Sequence, residues 1–211
     1  MKAYHLEKSL LGGEKFPIYY TPELNGGGLF WCNQLKKIKY SLPKVNSVME
    51  MGCGPGFIGF YIKHQQNLKK LVLIDIYEPV REVINKTIKE CGWEDDVELY
   101  ISNGLDDYTG SKVDMIVCNP PHLTSFSDFE KYKHLQTGIT KRMLLDDELR
   151  LHKNFLENLD NVLHPNGYVF LLENKTSVLP ETILKINPKL KIIDYIDHPS
   201  SMCYSALYQL T

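Results

Sequence analysis

Residues 50–59 read EMGCGPGFIG, and this stretch decides the fold. An apolar, strand-like run at residues 47–51 leads into it, and a helical pattern at residues 57–66 follows it. Glycine adopts left-handed backbone angles without steric cost and lets a ligand approach the main chain closely. Four glycines between a strand and a helix therefore predict a ligand-binding turn at the carboxyl end of a strand.

Short apolar runs alternate with helical patterns from residue 47 onward. We expect strands at residues 47–51, 71–75, 97–102, 113–118, 168–173, 190–196 and 204–210, and helices at residues 57–66, 79–91 and 179–186. Such alternation is typical of a parallel sheet with crossover helices. Residues 119–145 are expected to be irregular. Leucines at helical spacing then predict one long helix that opens at Asp146, Asp147 and Glu148 and stops at residues 164–167.

The chain is expected to consist of an N-terminal extension, residues 1–44, and one main domain, residues 45–211. The extension combines aromatic residues with a glycine run, which suits a lid closing over a substrate, or else aromatic residues that cover the sheet edge. Its features are Tyr19, Tyr20, Pro22, Asn25 to Gly28, Phe30 and Trp31. In the main domain, the long loop Thr124 to Thr140 is expected to recognise the substrate, or else to be disordered.

Composition excludes several classes of protein. An apolar fraction of 43% and a charged fraction of 24% are ordinary for a globular protein, and no apolar run approaches the length of a membrane span. Charged residues interrupt the first eleven positions, so we expect no secretory signal. Five scattered cysteines without a C-x-x-C pair predict a reducing, cytoplasmic setting and no metal site. A net charge of −2 makes long duplex DNA an improbable partner, and we expect a monomer.

The glycine stretch has two interpretations. Gly54, Gly56 and Gly59 match the G-x-G-x-x-G fingerprint of dinucleotide-binding proteins. Asp75 ends the next apolar strand, roughly 20 residues past the first glycine, where an acid binds ribose hydroxyls. A ribose is present in nicotinamide dinucleotides and in other nucleoside cofactors, so this spacing leaves the choice of cofactor open.

A second motif, Asn119-Pro120-Pro121-His122, follows the strand at residues 113–118. Prolines fix φ and restrict the preceding residue, which holds the backbone carbonyls rigidly. The side-chain oxygen of Asn119 and the carbonyl of Pro120 can each accept an N–H from a target nitrogen. His122 can stack on a planar group or accept a proton near neutral pH.

Together these motifs resemble the class I S-adenosylmethionine-dependent methyltransferases that carry an Asn/Asp-Pro-Pro-aromatic motif. That group includes the glutamine N5-methyltransferases of release factors, N6-adenine DNA enzymes, and several RNA and small-molecule N-methyltransferases. The resemblance covers roughly residues 45–175, and Glu50 stands two positions before the first glycine, as in the family's loop. His122 departs from the usual Tyr or Phe. The resemblance implies an α/β, doubly wound, seven-stranded and mostly parallel sheet with the last strand antiparallel, a Rossmann-like fold.

The resemblance also implies the cofactor and the site. S-adenosylmethionine would be held by Glu50, Gly52, Cys53, Gly54, Pro55, Gly56, Asp75, Ile76 and Asn103, with Ile76 beside the adenine and Asn103 near its amine. Asn119, Pro120, Pro121 and His122 would bind a nitrogen of a protein glutamine, an RNA base or a small amine or amide. Two alternatives stay open: an NAD(P)-dependent oxidoreductase that uses the same glycine loop, and a non-catalytic protein that binds a partner.

Overall fold

The computed structural model describes residues 1–7, 15–24, 27–37, 42–132, 144–198 and 201–211. The chain divides into two compact units, Met1–Tyr108 and Thr109–Thr211. Within the described ranges, no helix combines the length and the apolar character that a membrane crossing requires.

The first unit begins with an antiparallel hairpin and continues with three parallel strands. Its elements are β1 (Lys2–Glu7), β2 (Lys15–Tyr20), a 3-10 turn (Pro22–Leu24), α1 (Gly28–Lys37), β3 (Ser47–Met51), α2 (Phe57–Gln66), β4 (Lys70–Asp75), α3 (Val80–Cys91) and β5 (Val97–Ile101). β4 lies between β3 and β5 and runs parallel to both. The carboxyl ends of the three strands therefore lie at one edge, where α/β sheets bind their ligands.

The N-terminal hairpin was not predicted from the sequence. β2 packs against α3, and the backbone N–H of Tyr19 donates to Oγ1 of Thr87 at 2.9 Å. Phe16 is buried, with its ring 5.2 Å from that of Trp93. These contacts explain why the start of the chain belongs to the first compact unit. The predicted division at residue 45, between an extension and the main domain, stays a prediction.

In the second unit, the described residues include four strands. Its elements are β6 (Val113–Cys118), α4 (Phe126–Tyr132), a 3-10 turn (Asp147–Leu149), α5 (Arg150–Glu157), α6 (Leu159–Val162), β7 (Leu163–Asn174), α7 (Pro180–Ile186), β8 (Leu190–Asp197) and β9 (Cys203–Leu210). β7 is parallel to β6, and β9 lies between β7 and β8 and is antiparallel to both. With the three parallel strands of the first unit, the chain has the seven predicted strands, and the last one is antiparallel as predicted.

The long helix predicted from Asp146 onward begins later than predicted and is divided into α5 and α6, whereas its end at Val162 lies close to the predicted stop. Glu148 and Leu149 have left-handed backbone angles, with φ of 57° and 59°, and α5 begins only at Arg150. Asp146 instead caps this helix from outside, because its carboxylate accepts the N–H of Leu151 at 2.8 Å and of His152 at 3.2 Å.

Residues 164–167, predicted to stop that helix, belong to β7, where the backbone reverses locally at Asn166 with a φ of 61°. The region predicted to be irregular contains α4. The rest of the predicted substrate loop, residues 133–140, lies outside the described residues, as do residues 25 and 26 of the predicted glycine run.

Candidate functional site

The glycine loop between β3 and α2 has a backbone that only glycine adopts readily. Gly52, Gly54 and Gly56 have φ of 61°, 51° and 80°. A Cβ on Gly56 would lie 2.8 Å from the Phe60 ring, whereas a Cβ on Gly52 would meet nothing within 4 Å. The loop is therefore closed toward the core and open at Gly52, which is exposed. Cys53 and Pro55, the other predicted positions in the loop, are buried.

Asp75 connects the glycine loop to the ends of β4 and β5. Its Oδ2 accepts the backbone N–H of Gly54 at 2.7 Å, and its Oδ1 accepts that of Tyr77 at 2.9 Å. Its backbone carbonyl accepts the N–H of Ser102 at 2.9 Å. The carboxylate of Asp75 thus links the glycine loop to the end of β4, and its backbone links the ends of β4 and β5.

Glu50 lies beneath the loop. It is 2% exposed, and its Oε2 accepts the backbone N–H of Gly59 at 2.7 Å, which ties the first turn of α2 to β3. Burial raises the pKa of Glu50 to about 8, although hydrogen bonds from the backbone of Gly59 and Ile58 act in the opposite direction. In this structure Glu50 supports the loop, and its predicted contact with the cofactor stays a prediction.

Two further predicted residues border the same edge of the first unit. Ile76 follows Asp75 and exposes 49% of its surface, which is unusual for an isoleucine at the end of a buried strand. Asn103 is also exposed, and its Nδ2 donates to Oδ2 of Asp106 at 2.9 Å. Ile76 therefore offers an apolar face to solvent, and Asn103 lies in the turn after β5.

The N-terminal segment borders the glycine loop from the other side. The carbonyl oxygen of Leu24 lies 3.1 Å from the position that a Cβ on Gly54 would take. The ring of Tyr20 meets that of Phe57, at the start of α2, in an edge contact with centroids 5.3 Å apart. Trp31 is buried, with 2% of its surface exposed, whereas Phe30 exposes 43% of its surface. These contacts place the segment beside the loop, and its action as a lid stays a prediction.

In the second unit, Asn119-Pro120-Pro121-His122 follows directly from the buried strand β6. Pro120 is buried, and the other three residues are half-buried. The next residue, Leu123, holds the segment in place, since its N–H donates to the carbonyl of Leu144 at 2.7 Å and its carbonyl accepts the N–H of Asp146 at 2.8 Å. The motif is thus a corner fixed by prolines and by a short bridge to the chain before α5.

A buried cluster of carboxylates and imidazoles lies behind this corner, and it was not predicted from the sequence. Nδ1 of His152 is 2.5 Å from Oδ2 of Asp146, and its Nε2 is 2.9 Å from Oε1 of Glu173. Oε2 of Glu173 lies 4.0 Å from Nδ1 of His122. His152 and Glu173 are both 0% exposed. The one available signal was Glu173 itself, a charged residue that directly follows the apolar run of β7.

The two histidines of the cluster differ in charge. Burial acts to lower the pKa of His152, but the charge of Glu173 and hydrogen bonds with Asp146 and Glu173 outweigh it and raise that pKa to about 9. Burial lowers the pKa of His122, and the positive charge of His152 adds to this effect, against the attraction of Glu173. Near neutral pH, His152 is therefore an imidazolium between two carboxylates, and His122 is a neutral imidazole.

Comparison with known proteins identifies the family of the chain. The profile of the methyltransferase small domain family matches residues 23–154, which include both the glycine loop and the Asn-Pro-Pro-His corner. The chain belongs to this family. The prediction of a class I methyltransferase that uses S-adenosylmethionine is confirmed at the level of the family, which decides against the dinucleotide interpretation of the glycine loop.

Similar proteins act on different substrates. The chain is 30% identical to a release factor glutamine methyltransferase of Borreliella burgdorferi over 59% of this chain and 43% of that protein. It is 29% identical to a ribosomal RNA small subunit methyltransferase C of Cronobacter sakazakii over 55% of this chain and 33% of that protein. The chain thus spans less than half of the length of either relative.

A solved structure shows the same fold. The N-methyltransferase NodS of Bradyrhizobium japonicum, in complex with S-adenosylhomocysteine, matches with a TM-score of 0.56 and 16% identity, over 86% of each chain. This likeness confirms the predicted seven-stranded, Rossmann-like methyltransferase fold.

Proposed function

We propose that this protein is an S-adenosylmethionine-dependent N-methyltransferase of the cytoplasm, whose first unit binds the methyl donor and whose Asn-Pro-Pro-His corner binds the acceptor nitrogen. The observation that carries the proposal is the fixed corner at the end of β6, inside the region that matches the family. A dinucleotide enzyme would have no use for such a corner.

The first unit fits the methyl donor. A carboxylate has about four lone-pair sites, so Asp75 can accept two backbone N–H groups and still accept ribose hydroxyls. The exposed side chain of Ile76 suits the face of an adenine, and the open side of Gly52 lets the methionine part approach the backbone. The donor supplies an activated methyl group on a positively charged sulfur, so the protein's task is mainly alignment.

The corner of the second unit fits an acceptor nitrogen that carries N–H groups. Amide and exocyclic base nitrogens are poor nucleophiles because their lone pairs are delocalised. Hydrogen bonds from such a nitrogen to the Asn119 side chain and the Pro120 carbonyl would orient it and stabilise its developing positive charge. The prolines hold these acceptors in place before the substrate binds.

For the acceptor we propose a protein glutamine or a base in structured RNA, since the two relatives described above are named for these substrates. A net charge of −2 favours a local contact with the substrate over a long phosphate-binding face. A base in a folded RNA would have to leave its stack to reach the corner.

The test has two stages. Calorimetry with S-adenosylhomocysteine on the full chain should give micromolar binding, and the absence of binding to folded protein would end the proposal. Labelled S-adenosylmethionine is then incubated with fractionated protein, RNA and metabolites. Asn119→Ala should abolish transfer and keep donor binding, whereas the control Asn161→Ala, at an exposed position of α6, should change neither. Donor binding without transfer to any fraction would favour a non-catalytic protein.

A further inference from the structure

Three members of the buried cluster behind the Asn-Pro-Pro-His corner, Asp146, His152 and Glu173, have no role in the function proposed above. The four side chains of the cluster come from separate elements: His122 from the corner, Asp146 from the segment before α5, His152 from α5 and Glu173 from β7. Maintaining several ionisable groups in a protein interior is unfavourable unless each is paired. Such a cluster next to a substrate-binding corner therefore calls for a chemical explanation.

The contacts of the cluster form a chain that begins beside His122 and leads back toward it through Asp146, His152 and Glu173. His122 precedes Leu123, whose carbonyl accepts the N–H of Asp146 at 2.8 Å. The Asp146 carboxylate is 2.5 Å from Nδ1 of His152, and Nε2 of His152 is 2.9 Å from Oε1 of Glu173. Both nitrogens of His152 are engaged, so its ring fixes the orientation of the Glu173 carboxylate.

The last of these contacts joins two buried atoms. Within the part of the chain that the structure describes, neither Nδ1 of His122 nor Oε2 of Glu173 has a hydrogen-bond partner. They face each other at 4.0 Å, roughly 1 Å longer than an ordinary N–H···O hydrogen bond. Since unsatisfied buried polar atoms are costly, a small rotation of the imidazole that brings Nδ1–H onto Oε2 would satisfy both.

We propose that Glu173 is a positioning residue that holds His122 in the Nδ1–H tautomer, so that Nε2 of His122 accepts the proton that the acceptor nitrogen loses on methylation. This inference rests on the proposed function. The side chain of His122 keeps 23% of its surface exposed although Nδ1 is buried, so the accessible part of the side chain lies away from Nδ1. A carboxylate that sets the tautomer of a histidine base is a recurring arrangement in enzymes.

The reaction balances with these groups. The lone pair of the acceptor nitrogen forms the new N–C bond as the C–S bond breaks, and that bond's electron pair stays on sulfur. The N–H bond then breaks, its electron pair stays on nitrogen, and the proton moves to Nε2 of His122. Glu173 stabilises the resulting imidazolium, which later releases the proton to water.

The surrounding groups agree with this assignment. The lowered pKa of His122 keeps its imidazole neutral and able to accept a proton, while the charged ring of His152 balances one of the two carboxylates. Tyr204 and Tyr208 of β9 also face Glu173, and burial together with its charge raises the pKa of both phenols, which therefore stay neutral. Near neutral pH, His122 is the group of the cluster that is ready to gain a proton.

The first test is spectroscopic and needs neither donor nor substrate. Nitrogen-15 NMR of histidine-labelled full-length protein should show His122 as the Nδ1–H tautomer. Glu173→Gln should abolish this preference and lower the pKa of His152, whereas Glu181→Gln, the same change at an exposed position of α7, should alter neither. If His122 is the Nε2–H tautomer in the unmodified protein, the proposal is overturned, and this measurement stands even if Glu173→Gln does not fold.

The second test is kinetic and uses whichever fraction accepts the labelled methyl group. His122→Phe, which retains a ring that can stack, should lower kcat about 100-fold or more and remove the acidic limb of the kcat–pH profile. The KM for S-adenosylmethionine should not change. His164→Phe, at an exposed position of β7, is the control. An unchanged kcat and pH profile in His122→Phe would refute the proton transfer, whereas failure to bind S-adenosylhomocysteine would refute the proposed function itself.

Discussion

Oε2 of Glu50 lies 2.7 Å from the backbone nitrogen of Gly59, and a Cβ on Gly59 would lie 2.7 Å from the same oxygen. The carboxylate therefore occupies the space that any larger residue at position 59 would need. The same Cβ would also lie 3.0 Å from the side chains of Leu71 and Leu73. Close packing thus requires glycine at position 59, in the first turn of α2, whereas left-handed φ values favour glycine at positions 52, 54 and 56 of the loop.

Gly59→Ala should accordingly destabilise the protein by about 1–3 kcal/mol, the usual effect of overpacking a core, although alanine is the better helix former. Urea unfolding with linear extrapolation measures the change. Gly92→Ala is the matched control, since its Cβ would meet nothing within 4 Å and only its φ of 64° is unfavourable, by about 1 kcal/mol. A smaller loss of stability in Gly59→Ala than in Gly92→Ala would contradict the packing explanation.

Asp75→Asn should weaken S-adenosylhomocysteine binding at least about tenfold. The amide has only one acceptor oxygen, so it cannot accept the N–H groups of both Gly54 and Tyr77 and also bind ribose hydroxyls. Isothermal titration calorimetry measures the affinity. Asp95→Asn makes the same change of charge at an exposed position before β5 and should bind normally. Equal affinities in the two variants would remove Asp75 from the binding site.

Ile76→Ala should lower the affinity for S-adenosylhomocysteine about fivefold, because roughly 1 kcal/mol of apolar burial against the adenine is lost. Its thermal stability should hardly change, since 49% of the side chain is already exposed. Ile193→Ala, on β8 and 45% exposed, removes the same atoms from a similar environment and should affect neither property. A fall in thermal stability in Ile76→Ala but not in Ile193→Ala would indicate that Ile76 has a structural role instead.

The protein should become less stable as pH rises above neutrality. The pKa of His152 in the folded protein, about 9, exceeds its ordinary value of 6.5. The protonated ring therefore contributes fully to the stability of the fold below pH 6.5, and this contribution is lost as pH rises through 9. This shift corresponds to about 3 kcal/mol. The pKa of Glu50 is raised from 4.5 to about 8, so ionisation of this residue also lowers the stability of the folded protein as pH rises between these two values.

Urea unfolding at pH 6, 7.5 and 9 measures how stability depends on pH. The variant Glu50→Gln separates the contribution of His152 from that of Glu50. The variant should retain the loss of stability between pH 6.5 and 9 that comes from His152. Constant or rising stability of Glu50→Gln over that interval would show that His152 does not carry the charge assigned to it.

The sequence was most informative where structure is local. The strand at residues 47–51 and the helix at residues 57–66 match β3 and α2, because the apolar pattern and the glycines between them act over a few residues. The glycine loop, Asp75 and the Asn-Pro-Pro-His corner could be recognised for the same reason. Each is a short motif at the end of an apolar strand.

Long-range contacts explain what the sequence did not predict. The left-handed turn at Glu148 depends on a hydrogen bond from its N–H to the carbonyl of Thr124, a contact that no local pattern encodes. The pairing of His152 with Glu173 joins residues 21 positions apart and arises only once α5 packs near β7. The hairpin of β1 and β2 likewise depends on its packing against α3.

The position of β9 constrains how the second unit is assembled. β7 and β8 are both complete in the chain before β9, yet within the sheet of the second unit each pairs with β9 and not with the other. During synthesis, the two earlier strands emerge with open edges that only the later strand can fill. The sheet of the second unit therefore cannot be completed until β9 has been synthesised, and until then β7 and β8 each have an edge open to pairing with another chain.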